Sequence, residues 1–196
     1  EKYEGYIIEQ RRWFHAHPEL SWEEFGTTDH IQEELEKMGL EVHRFEGRPG
    51  CTAMIYGGKA VPGAKTVALR ADIDALPVEE KTGLPFASEN PGVMHACGHD
   101  NHMAMLLGAA KILNEVKEEL SGDVRLVFQP AEEIFEGSKD MIASGVLENP
   151  RPDAALMIHV AAGMPLPAGT VVVSAPGVSA PAADYFTIRV HGKGCP

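Results

Sequence analysis

The stretch Met94-His95-Ala96-Cys97-Gly98-His99-Asp100 sets a thiol and an imidazole two residues apart. Further along, Gln129-Pro130-Ala131-Glu132-Glu133 sets two carboxylates side by side. Thiolate, imidazole and carboxylate are the main protein donors to zinc-like ions. A second carboxylate beside a metal-binding one is what a hydrolase needs to take a proton from water. Neither stretch is specific alone, because close His and Cys pairs arise often by chance. The bland alternative for Glu132-Glu133 is a solvated pair at a helix start, since buried Glu is rare unless paired. For Cys97 it is a buried structural thiol, against which the nearby His95, His99 and His102 weigh. A lone histidine ending an apolar strand, as His159 does, is usually a core residue.

What decides between these readings is where the secondary structure puts the residues. A helix to about Phe14 ends near His17-Pro18, because the residue before proline resists the α conformation. Ser21 and Glu24 have capping-box spacing, and Thr27, Ile31, Leu35 and Met38 follow at helical intervals up to a stop at Gly39. Short strands are predicted at about Glu41–Phe45, Thr52–Tyr56 and Thr66–Arg70, between turns rich in Gly and Pro. Residues 73–94 carry Pro77, Gly83, Pro85, Pro91 and Gly92 and read as a long loop, a length often associated with function. Met103, Leu106, Leu107, Ala110 and Leu113 mark a helix from Asp100 to about Val116. Asp123–Phe128 reads as a strand, 137–144 as a short helix, and Ala154–Val160 as a buried strand. Gly169–Ser174 and Tyr185–Val190 read as two further strands.

Strands alternating with helices from about residue 66 to 160 predict an α/β fold, a mostly parallel sheet flanked by helices. Ligands of such sheets gather at the carboxyl ends of the strands. Asp72 and Asp74 follow one predicted strand end, Glu132 and Glu133 another, and His159 closes a third; Cys97 and His99 immediately precede a helix. One rim therefore collects Cys, His, Glu and His. Adjacent side chains in extended backbone point different ways, so one of Glu132 and Glu133 can coordinate metal while the other faces water. Asp72 and Asp74 suit the orientation of a ligating histidine; their alternative is turn formation before Pro77. His15 and His17 flank a helix end and read as capping or packing residues, while His95 and His102 read as packing residues or as supports for the ligating side chains.

Of the 196 residues, 44% are hydrophobic and 23% charged, an ordinary globular composition. The net charge of -12 argues against general binding to nucleic acid or to anionic membrane. No apolar run approaches the roughly 20 residues that span a bilayer, and Glu1-Lys2-Tyr3-Glu4 is too polar for a secretory signal. Three cysteines do not make a disulfide framework, and Cys51, after a Pro-Gly turn, reads as a small buried hydrophobe. A cytoplasmic location follows. Motifs of serine hydrolases, P-loop proteins and dinucleotide-binding folds are absent. Proline, glycine and alanine cluster from Pro165 to Pro181, where a boundary near residue 180 is expected.

Taken together, these residues resemble a known family. His17-Pro18-Glu19-Leu20, Leu69-Arg70-Ala71-Asp72-Ile73-Asp74-Ala75-Leu76-Pro77, the Met94–Asp100 stretch, Phe128–Glu133 and Ile158-His159-Val160 are similar to the M20 metallopeptidases. Within that group they resemble the amidohydrolases that cleave N-acyl-amino acids, hippurate and auxin conjugates. The resemblance implies a site for two divalent metal ions (zinc, manganese, cobalt or nickel), with Cys97, His99, Glu133 and His159 as ligands, Cys97 bridging, and Glu132 as general base. It implies a small-molecule N-acyl-amino acid or short-peptide substrate. It further implies a catalytic domain whose first segment is residues 1–180, and a lid beginning at 181–196 through which the full-length form dimerises. Two features depart from the pattern. No histidine follows His191, where the family expects a further ligand, and Gly192-Lys193-Gly194-Cys195-Pro196 lacks the lid histidine. The front part of a larger enzyme is therefore expected. The rival readings are a di- or carboxypeptidase of the same fold, a catalytically silent fragment, and a structural zinc domain. A single candidate Cys ligand and a spare glutamate disfavour the last.

Overall fold

The computed structural model describes residues 2–178 and 182–194. Contacts divide the chain into two units, Glu1–Val160 and Ala161–Pro196. The boundary expected near residue 180 falls at 179–181, outside the described residues.

In the first unit, α1 (Glu4–Ala16) stops just before His17-Pro18. The His17 ring stacks on Trp13 at 4.4 Å, and its Nδ1 donates to the Trp13 carbonyl. Helix α2 (Phe25–Lys37) buries Thr27, Ile31 and Leu35, the expected stripe. Its start differs from expectation. No side chain caps it from Ser21 or Glu24. Instead the Glu19 carboxylate accepts from the Gly26 and Thr27 amides at 3.1 and 2.7 Å. Glu19 thus meets the unpaired N–H groups and the positive end of the helix, leaving Ser21 and Glu24 for partners elsewhere in the fold.

Strands β1 (Val42–Phe45), β2 (Arg48–Ile55), β3 (Thr66–Asp72), β4 (Asp123–Gln129) and β5 (Ala154–Met157) form one sheet in the order β1-β2-β4-β3-β5. The β4-β3-β5 part is parallel, and an antiparallel ribbon of β1 and β2 is added beside β4. Alternation along β4 splits its side chains between two cores. Leu126 and Phe128 join Phe14, Ile31, Leu35, Met103 and Leu107 under α1, α2 and α3 (His99–Glu115), while Val127 packs with Phe45, Met141 and Val146 beside α4 (Gly137–Ala143). The fold is α/β, a sheet with helices on both faces.

Strand β5 differs from the buried strand expected over Ala154–Val160. It ends at Met157 and its residues are exposed. It pairs only with β3, and no strand among the described residues adds to its outer edge. In the second unit, the strands expected at 169–174 and 185–190 are not formed in the described residues; β-propensity becomes a strand only when a neighbour supplies the ladder. No helix among the described residues is long and apolar enough to cross a membrane.

A buried polar network ties α1 to the start of α3. The Asp100 carboxylate accepts from His15 Nδ1 at 2.8 Å and forms an ion pair with Arg11, whose Nε lies 2.9 Å away, and His15 Nε2 donates to Glu80 at 3.1 Å. The Asp100 hydrogen bond raises the His15 pKa against the opposing effect of burial. Burial works against the Asp100 charge, yet the His15 bond and neighbouring cations hold its pKa below the usual range.

Two predictions follow from this packing. Leu107 is fully buried, so Leu107→Ala should lower unfolding free energy by roughly 2–5 kcal/mol in urea titrations. The His15 contribution should be fully present below its ordinary pKa of 6.5 and disappear as pH rises through the higher folded-state value. The stability difference between the native protein and His15→Gln should therefore shrink on the alkaline side of 6.5. A difference that grows there would show that His15 is not stabilised as the cation.

Candidate metal centre

The parallel strands end on one edge, and the sequence-predicted residues meet there. Asp72 closes β3 and lies opposite Gln129 at the end of β4. Asp74 lies two residues beyond Asp72, Glu132 and Glu133 follow β4, and His159 follows β5. Cys97 and His99 arrive from the turn opening α3, where Gly98 adopts φ +93°. A Cβ at Gly98 would also stand 2.4 Å from the Val160 side chain, so both conformation and space there call for glycine.

His99 is the hub. Its Nδ1 donates to the Asp74 carbonyl at 2.8 Å, with the Asp74 carboxylate 3.3 Å away. That bond fixes the ring and leaves Nε2 facing the site, as in metal-binding histidines. Nε2 lies 3.6 Å from Glu133 Oε1, 3.6 Å from Asp72 Oδ2 and 3.8 Å from Glu132 Oε2. Cys97 Sγ sits 3.4 Å from His159 Nε2, whose Nδ1 donates to the Val160 carbonyl. Donor atoms of Cys97, His99 and His159 lie within 4.8 Å of one another, as do those of His99, Glu132 and Glu133 and those of Asp72, His99 and His102. Cys97, His99, Glu132, Glu133 and His159 are thus brought to one place.

The backbone at Glu132-Glu133 is not extended, contrary to the sequence reading. Ala131 has φ +48°, and residues 132–135 form a turn. The left-handed residue swings both carboxylates toward His99 Nε2 instead of sending them to opposite sides. His102 and Asp72 do more than the sequence disclosed. Asp72 accepts from His102 Nδ1 at 2.5 Å, and His102 Nε2 accepts from the Val160 amide at 3.0 Å. His102 therefore carries its proton on Nδ1 and ties the backbone next to His159 to β3. Sequence spacing carried no signal for this tie, because His102 and Val160 meet only through packing. His95 is buried, and burial lowers its pKa to about 4; neither of its ring nitrogens has a hydrogen-bond partner.

The electrostatics call for a cation. Burial, then the charges of Glu133, Glu132 and Asp72, push the Cys97 thiol up to about 12. Burial also raises the Glu133 carboxyl. Burial opposes charge on His99, but its bond to Asp74 and the charges of Asp72 and Asp74 prevail and raise its pKa. Asp72 stays ionised well below the usual range, because the His102 bond, His99 and Arg70 outweigh its burial. His99 Nε2, Glu133 Oε1 and Asp74 Oδ1 are buried without a hydrogen-bond partner. Such unpaired polar atoms cost stability unless something pairs with them. A divalent cation fits this sulfur, nitrogen and oxygen set and would favour the deprotonated thiol.

Comparison with known proteins agrees with this geometry. The family model Peptidase family M20/M25/M40 matches residues 68–191. The chain is 46% identical over 193 residues to thermostable carboxypeptidase 1 of Saccharolobus solfataricus, covering 97% of this chain and 47% of that protein. It is 42% identical over 190 residues to N-acyl-L-amino acid amidohydrolase of Geobacillus stearothermophilus, covering 96% and 49%. A Bacillus subtilis structure described as a dinuclear metal binding peptidase from M20 family superposes with a TM-score of 0.73 at 43% identity, over 79% of this chain and 42% of that one. The chain spans about half the length of the curated relatives it matches. With the strand-end cluster and the match over residues 68–191 in agreement, the chain belongs to the M20/M25/M40 peptidase family.

Proposed function

We propose that this chain forms the metal-holding and proton-transferring part of an amidohydrolase that cleaves the amide bond of N-acyl-amino acids. The observation carrying this reading is the meeting of the Cys97, His99 and His159 donors with Glu132 and Glu133 around one histidine nitrogen. Similarity to an N-acyl-L-amino acid amidohydrolase supports the substrate class. Similarity to a carboxypeptidase supports the second reading, a di- or carboxypeptidase built on the same site. Turnover of acyl-amino acids against dipeptides, measured on the product of the full reading frame, separates the two.

Cys97, His99, Glu133 and His159 would hold two divalent cations. When bound, these cations supply Lewis acidity that makes water acidic near neutral pH and polarises an amide carbonyl. Asp74 keeps His99 oriented, and the Asp72–His102 pair keeps the backbone beside His159 in place. Glu132 is the more exposed of the two glutamates, at 32% against 18% for Glu133. That suits Glu132 to meet substrate and water while Glu133 holds metal. The Glu132 carboxylate takes a proton from the attacking water and passes it to the leaving nitrogen, giving a carboxylic acid and a free amino acid. The larger arrangement belongs to the same proposal: residues 1–180 as the first catalytic segment, a lid beginning at about 181, a homodimer formed through that lid, and a cytoplasmic location.

Glu132→Gln should retain metal, measured by elemental analysis, and lower kcat by about 10²–10⁴-fold; near-native turnover removes Glu132 from the role of base. Cys97→Ser should lower the metal bound per chain after dialysis. Unchanged stoichiometry rules out the sulfur as a ligand.

A further inference from the structure

The turn carrying Glu132 and Glu133 starts at Ala131, a non-glycine residue at φ +48°. It is closed by amides of Glu136 and Gly137 that donate to the Ala131 carbonyl at 3.3 and 3.1 Å. Gly137 has no room for a side chain, since a Cβ there would lie 1.6 Å from the Pro130 carbonyl oxygen. Two more non-glycine residues have left-handed backbone here, Phe135 at φ +59° within the turn and Trp22 at φ +69° in the segment before α2. Strained positions of this kind persist only where their surroundings hold them.

The holding comes from the segment before α2. Trp22 Nε1 donates to Glu136 Oε2 at 2.7 Å. Asp74 Oδ2 accepts from Ser21 Oγ at 2.7 Å and from the Glu133 amide at 3.0 Å. Glu24, fully buried, accepts from the Ala131 amide at 2.7 Å. The second Glu24 oxygen has no hydrogen-bond partner. Its own helix does not require this carboxyl, since Glu19 caps α2. Burial, with Asp74 and Glu19 adding to it, raises the Glu24 carboxyl to about 7. A carboxyl kept dry beside two acids is costly, and the bond it accepts from the Ala131 amide ends on the turn of the candidate base.

We infer that Glu24 is a positioning residue, whose side-chain oxygen holds the Ala131 amide and thereby the left-handed turn that aims Glu132 and Glu133. The inference rests on the proposed roles of those two glutamates for its consequence in catalysis, but not for the hold itself. The acceptor matters and the charge does not, which separates two variants of equal size.

The test compares Glu24→Gln, which keeps an acceptor, with Glu24→Met, which fills the space without one. Amide hydrogen exchange over residues 130–137 is read alongside kcat and KM in the product of the full reading frame. Glu24→Gln should keep native protection at Ala131 and native kcat. Glu24→Met should lose protection there and lower kcat by about 10–100-fold with KM little changed. Equal protection in both variants overturns the inference. So does rapid exchange of the Ala131 amide in the native protein, which decides the matter even if Glu24→Met does not fold. If the native protein hydrolyses no amide while protection still follows the acceptor, the positioning role stands and the hydrolase reading falls.

Discussion

Negative charge gathered without equal compensation is the constraint on which the rest of this structure depends. Asp72, Asp74, Glu132 and Glu133 lie close to the buried His99 ring, and Arg70 pairs with Asp72 alone among these four acids in the described residues. Like charges at such range repel strongly wherever water is scarce. The fold meets this by giving the two aspartates dedicated donors. Asp72 takes Arg70 and His102, and Asp74 takes Ser21 and the Glu133 amide. The glutamates keep unspent acceptor capacity, and Glu133 Oε1 remains without a partner. The aspartates are tied into the rim by these donors, and the glutamates keep the free acceptor capacity on which the proposed function draws.

Topology makes this gathering possible. Three parallel strands, β4, β3 and β5, end on the same edge, so residues far apart in sequence arrive together there. Helix α3 begins at that edge, and its first turn delivers His99 toward the site and Asp100 away from it, into the network with His15 and Arg11. One helix start is thus anchored on its far side while its near side stays open for chemistry. The apolar core under α1, α2 and α3 gives that start a rigid base.

The segment from Glu19 to Glu24 shows how one short stretch serves several ends. Its spacing reads as a helix cap, yet Glu19 supplies the cap and Ser21, Trp22 and Glu24 reach the loop after β3 and the turn after β4. Local hydrogen-bond preferences are worth about 1 kcal/mol, and a set of tertiary partners outweighs them easily.

Most of the helices and central strands were legible in the sequence, because their apolar periodicity and their Gly and Pro boundaries are local properties. That Cys97, His99, Glu132, Glu133 and His159 gather on one edge was legible too, since residue type and strand-end position reveal candidate donors without coordinates. Several features were not. The left-handed Ala131 turn, the His102 bridge to Val160 and the service of Glu24 to Ala131 each join residues whose separation carries no pattern. The exposure of β5 is of the same kind, because four apolar residues in a row announce a strand and not what covers it. Periodicity and donor chemistry are written residue by residue; which acceptor meets which amide is settled only when the whole sheet and its helices close around them.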